Sequence, residues 1–209
     1  MTKYDFYISN QKCKEQAKEF LRYTWKDSAQ ITLMFYGIML IVSCAVVFPA
    51  VFVAWWLVFP LLFIEYMIWS LFDYGYKRYF WGLTQLEKVS KKLLFAGFSK
   101  KTGKILKTYL KKLFLGLWWL ILLVFPYFLK QPAYVVATYI IWDRPDVQNP
   151  VKESKRLMTG NHKRLAKLQA SFSYWYLLIY VSAFIAGIWV LPYLATAEAV
   201  FYEDLKTEF

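Results

Sequence analysis

Histidine and cysteine are scarce in this 209-residue chain, which has one histidine, His162, and two cysteines, Cys13 and Cys44. A metal centre needs several donors at set spacings, and these residues form none of the usual patterns, so no metal and no cofactor are expected. Cys13 lies in a polar stretch and Cys44 in an apolar run, which predicts two separate reduced thiols. The 8 glycines form no phosphate-binding loop and no dinucleotide fingerprint. No serine stands in a nucleophile motif, and Asp143 and Asp146 are the only nearby carboxylates with a rationale as partners of His162. A general base needs partners, so no catalytic residue is expected and the chain reads as a non-enzyme. Charge is also low: 19% of residues are charged, against roughly 25% in ordinary globular domains.

Apolar and aromatic residues fill the gap, at 59% and 22% of the chain. A soluble domain of this length cannot bury that much apolar surface, so lipid is expected to cover part of it. The net charge of +12 raises the question of nucleic acid. The aromatics, however, sit inside apolar runs and the basic residues sit between them, unlike a basic face with stacking aromatics; no nucleic acid is expected. The polar first 30 residues hold no apolar core ahead of a cleavage site, so no cleavable signal peptide is expected.

Apolar segments run over Ile31–Phe48, Ala50–Phe72, Leu113–Leu129, Ala133–Trp142, Ala170–Leu191 and Tyr193–Tyr202. A span takes about 20 helical residues, which the fourth and sixth segments do not reach. Pro49, Pro126 with Pro132, and Pro192 interrupt long runs, and each predicts a bend or turn; Pro60 predicts a kink. The reading is all-α: a polytopic membrane helical bundle of proline-interrupted hairpins with cytoplasmic amphipathic helices, in one domain over 1–209. Its parts are a cytoplasmic N-terminus (1–28), a first hairpin (29–72), a basic segment (73–112), a second hairpin (113–142), a basic elbow (143–168), and a third hairpin with the C-terminus (169–209). Of the 26 Lys and Arg residues, six lie in 1–28, eleven in 73–112 and seven in 143–168. Lys130 is the basic residue near a hairpin turn. By the positive-inside rule the three basic stretches, and both termini, belong in the cytoplasm.

Two cytoplasmic stretches carry helical periodicity. Leu83, Leu86, Val89, Leu93 and Ala96 recur at three- and four-residue steps, as do Ala17, Phe20, Leu21 and Trp25. Each predicts an amphipathic helix, lying either on the lipid interface or against the rest of the protein. In "DRPDVQNPVKESKRLMTGNHKRLAKLQ", Asn149-Pro150 reads as a helix cap and first position, and Gly160 as a C-terminal stop. Asn161 then caps a second helix expected to run straight into Ala170–Leu191. His162, Lys163 and Arg164 fall in its first turn, where the macrodipole disfavours cations. Asn161, His162, Lys163 and Arg164 are therefore a candidate anion or lipid-headgroup site, set against the plainer alternative of a basic collar. Glu65 and Glu198 are candidate intramembrane carboxylates, since such groups are costly in lipid and often functional. Glu65 precedes Asp73 by eight residues, about 12 Å of helix.

The C-terminal third carries "ESKRLMTGNHKRL", "LQASFSYW", "GIWVLPY" and "AVFYEDL", with "KEQAKEFL" and "LLFAGF" nearer the N-terminus. On these motifs the chain resembles the DUF975 family of integral membrane proteins. The chain departs from the family's acidic "DNPD" with "DRPDV", and His162 stands where lysine is common. The resemblance implies a multi-pass bacterial plasma-membrane protein of the Firmicutes and supplies no activity. The expected function is non-enzymatic: binding membrane lipids, chiefly by anionic headgroups, or partner membrane proteins or further copies of the chain. An accessory or protective role, in envelope stress or resistance to membrane-active peptides, fits that expectation. The alternative is a small oligomeric transporter or channel using Glu65 and Glu198.

Overall fold

The computed structural model describes residues 10–53, 58–99, 101–122, 132–182 and 185–206. Among them the chain is all-α. It runs α1 (Asn10–Leu21), α2 (Trp25–Val53), α3 (Val58–Thr84), a 3₁₀ segment η1 (Lys91–Phe98) and α4 (Thr102–Leu122). Then come α5 (Pro132–Val135), α6 (Ala137–Asp143), α7 (Pro150–Leu157), α8 (His162–Ala170), α9 (Ser173–Val181) and α10 (Gly187–Lys206).

The prolines act differently from their reading in the sequence. α2 continues through Pro49 to Val53, so Pro49 is not the turn; the break falls at 54–57, outside the described residues. Pro60 is the third residue of α3. Backbone N–H groups in a first turn have no intrahelical acceptor, so a proline there needs no kink. Pro192 lies inside α10, and the expected helix over Ala170–Leu191 is instead two pieces, α9 and the start of α10, parted near Ser182. Ser171 and Phe172 also separate α8 from α9, so α8 does not run straight on. Pro126 and Lys130 lie outside the described residues.

The divisions at 72/73 and 112/113 fall within single helices. α3 carries on from Asp73 to Thr84, and Ser70 to Gly75 are all buried. Glu65 is therefore nearer the start of α3 than its end. The expected amphipathic helix over 82–98 is not one helix. Leu83 lies in the last turn of α3, Leu86 takes a left-handed φ of 55°, and Leu93 and Ala96 belong to η1. η1 lies flat on α3, where Phe72 meets Phe95 and Phe98 edge-on at 5.5 and 5.1 Å. α1 likewise packs on protein, turning Cys13, Ala17 and Leu21 into the core against α10. Burial, with the Asp204 carboxylate near, pushes the Cys13 thiol up to about 11. Cys44 is exposed and is not bonded to it.

The first half of the elbow follows its sequence, whereas Asn161 stands at the N-terminal end of α8 without a side-chain capping hydrogen bond. The Asn149 side chain accepts from the Lys152 N–H, Pro150 takes the first helical position, and Gly160 has φ +87°. That left-handed geometry is open to glycine and costly to side chains with a Cβ.

Among the described residues two helices are long and apolar enough to cross a membrane, Trp25–Val46 and Val58–Thr84. Exposed apolar side chains concentrate in particular stretches: Leu33 to Ile41 of α2, Phe59 to Ile64 of α3, Leu110 to Leu117 of α4, and Tyr174 to Val181 of α9. The two short apolar segments are different. Tyr134 to Ile141 are buried throughout, and so is nearly all of Tyr193–Tyr202. Their apolar character faces protein, which explains why neither has the length of a span.

Candidate functional site

α3 and α4 each turn a polar row inward below their exposed apolar ends. On α3, Trp69, Asp73 and Lys77 follow at four-residue steps and so share a face. On α4, Tyr109, Lys112, Leu113 and Gly116 do the same at steps of three and four. These rows, with Tyr66, Tyr134 and Val135, and with Gln169, Tyr176 and Glu198 from α8, α9 and α10, line a cavity of about 520 Å³. That volume lies in the range of small-ligand sites, roughly 300–1,000 Å³. Leu117 and Tyr176 also line it and are themselves exposed among the apolar side chains, so the cavity reaches the apolar outer surface.

Its polar groups form a directional chain. Lys112 Nζ donates to Thr138 Oγ1 at 3.3 Å, and Thr138 Oγ1 donates to the Tyr109 hydroxyl at 3.3 Å. The Tyr109 hydroxyl donates to Asp73 Oδ2, which also holds Lys77 Nζ at 3.1 Å. Each donor in such a chain polarises the next, which strengthens the run as a whole. Lys112 also sits 4.8 Å from the Tyr109 ring centroid, a cation–π distance. Tyr66 donates to the Tyr109 carbonyl at 3.1 Å and stacks on Trp69 at 5.7 Å, fixing the aromatic wall. Opposite, Gln169 Nε2 donates to Glu198 Oε1 at 2.9 Å. Glu198 is 9% exposed and Asp73 7%, so both carboxylates are held largely away from water.

The residues singled out in the sequence divide around this cavity. Glu198 lines it. Glu65 is half-buried one turn from the exposed Leu62 and is not among the lining residues. The 161–164 group does not converge on one anion. Asn161 is buried, Lys163 is exposed, and His162 is half-buried. Arg164 turns inward to the Asp204 carboxylate and donates to Asn161 Oδ1 at 3.1 Å. Its charge is thereby spent within the fold. Asp73, Lys77, Tyr109 and Lys112 escaped sequence reasoning because their lysines were counted as part of a basic loop. The signal was present as helical spacing, in Asp73-x₃-Lys77 and Tyr109-x₂-Lys112.

Among the described residues no group of three or more His, Cys, Asp or Glu side chains is placed to hold a metal ion. The cavity offers instead two ammonium groups, two carboxylates and an aromatic wall, which suit binding of a charged or dipolar group.

No curated protein and no solved structure matches the chain. Residues 120–208 match the model of the family described as a protein of unknown function, DUF975. The matched part includes Thr138, Gln169, Tyr176 and Glu198 of the cavity, while Asp73, Lys77, Tyr109 and Lys112 precede it. Over its C-terminal residues 120–208, therefore, this chain is similar to the DUF975 family.

Proposed function

We propose that this chain is a multi-pass membrane protein that binds the headgroup of a membrane amphiphile in the α3–α4–α10 cavity. The observation that carries the reading is a charged, 520 Å³ cavity opening through Leu117 and Tyr176 among exposed apolar side chains. A charged group is stable at such a depth only when paired or hydrogen-bonded, and the lining residues meet that demand from both signs. An apolar tail leaving by the Leu117–Tyr176 side would stay in lipid. The basic stretches outside the apolar helices support a cytoplasmic position for that end. Purification into lipid nanodiscs followed by native mass spectrometry tests the reading. Wild-type protein is expected to retain bound lipid, and Gly116→Trp, which fills the cavity, to lose it. Full retention by Gly116→Trp would refute cavity binding.

Transport is the second reading, and the position of Glu198 in the cavity wall favours it. Glu65, outside that wall, does not. In liposomes, a carboxylate-coupled carrier should lose solute uptake on Glu198→Gln. Unchanged uptake by that variant leaves headgroup binding as the surviving reading.

A further inference from the structure

The charges in the cavity are not equivalent. Asp73 and Lys77 neutralise one another at 3.1 Å, and the Tyr109 hydroxyl completes the Asp73 carboxylate. Lys112 is held by neutral groups, the Thr138 hydroxyl and the Tyr109 ring face. Glu198 is held by a neutral amide, that of Gln169. Among the described residues neither Lys112 nor Glu198 forms an ion pair at contact distance, although Lys77, Asp73 and Glu198 all act on Lys112 through space. One wall of the cavity thus presents a cation and another an anion, both lacking a charged partner at contact distance. A buried charge with only neutral partners is costly, and a ligand group of opposite sign relieves that cost.

We propose that the cavity selects a zwitterionic headgroup, with a phosphate or carboxylate received by Lys112 and an ammonium received by Glu198. This inference rests on headgroup binding in that cavity and names its chemical class. A purely anionic headgroup satisfies Lys112 but sets a negative group before Glu198. A purely cationic one does the reverse. Tyr66, Trp69, Tyr134 and Tyr176 add aromatic surface suited to an ammonium group.

The test is competitive retention in nanodiscs holding equal amounts of phosphatidylethanolamine and phosphatidylglycerol, read by native mass spectrometry on the full chain. Wild type is expected to favour phosphatidylethanolamine about tenfold, as one charge-assisted contact implies. Glu198→Gln should erase that preference, lowering phosphatidylethanolamine retention and raising that of phosphatidylglycerol, and Glu198→Asp should keep part of it. Lys112→Gln should lower retention of both lipids. The different effects of the two single-site variants, one on selectivity and one on total retention, separate a binding effect from general misfolding. Equal retention of the two lipids by wild type, or a preference that survives Glu198→Gln, overturns the zwitterion inference while leaving headgroup binding intact. No lipid retained by wild type overturns both. Soluble phosphoethanolamine is added in a further arm. If it displaces the lipid, free zwitterions also occupy the cavity; if it does not, an apolar tail is required. Both of these outcomes support the assignment of the two charges.

Discussion

Asp73→Asn is expected to destabilise the protein by about 3–5 kcal/mol, the usual result of removing one member of a buried ion pair. Asp73 is 7% exposed and satisfies two donors at once, Lys77 Nζ and the Tyr109 hydroxyl. An asparagine oxygen can still accept from both donors, but it leaves the Lys77 ammonium without its paired counter-charge in a largely apolar interior. The loss also travels along the chain. With Asp73 neutral, Tyr109 donates to a weaker acceptor, and the contacts of Thr138 and Lys112 weaken in turn. The double variant Asp73→Asn with Lys77→Met removes both charges and should recover much of the loss. Reversible unfolding in mixed micelles measures all three proteins. A loss below about 1 kcal/mol for Asp73→Asn, or a double variant no better than the single one, would mean that the pair is solvated and the cavity wet at that wall.

A comparable effect is expected where α3 meets η1. A Cβ at Gly75 would lie 2.1 Å from the Leu94 carbonyl oxygen, and one at Gly97 would lie 2.2 Å from that of Leu71. Neither obstacle is a side chain that can swing aside; both are backbone. The two elements touch main chain to main chain, close enough for Cα–H contacts to carbonyl oxygens. Gly75→Ala and Gly97→Ala must each push η1 off α3 and should cost about 3 kcal/mol, the upper end of ordinary overpacking. Gly82→Ala is the internal comparison. Its Cβ would meet the Val89 side chain at 2.6 Å, a group able to shift. That variant should lose only about 1 kcal/mol. Equal stability for Gly75→Ala and wild type would show that η1 is not docked on α3 in solution. Since Phe72 is held between Phe95 and Phe98 in the same contact, displacement of η1 should also raise its accessibility.

Much of the local structure was legible before any fold was seen. Asn149-Pro150 and Gly160 carry their own backbone preferences, and the α7–turn–α8 elbow follows from them. The buried face of α1 was visible in the spacing of Ala17 and Leu21. What could not be read was the partner of each apolar face. Hydrophobic periodicity is the same whether a helix meets lipid, an interface or another helix, so η1 and α1 were equally compatible with both. The segments Tyr134–Ile141 and Tyr193–Tyr202 also read as apolar runs, and their burial inside the fold shows that they face protein. The prolines misled for a related reason. A proline in the first turn or at a tolerated bend leaves a helix whole, and its sequence neighbours do not reveal which position it takes.

The sequence by itself determined an all-α, apolar, strongly basic chain without a metal or nucleophile pattern, and a C-terminal part resembling DUF975. Those properties depend on residue type and short spacing alone. Tertiary structure decided which charges matter. Lys77 and Lys112 look like members of a basic loop until the continuation of α3 and the face of α4 bring them to Asp73 and Thr138, while Arg164, the stronger candidate on paper, is turned away to Asp204. Electrostatic role depends on distance and burial, and residues 73, 112 and 198 become neighbours only when three helices pack.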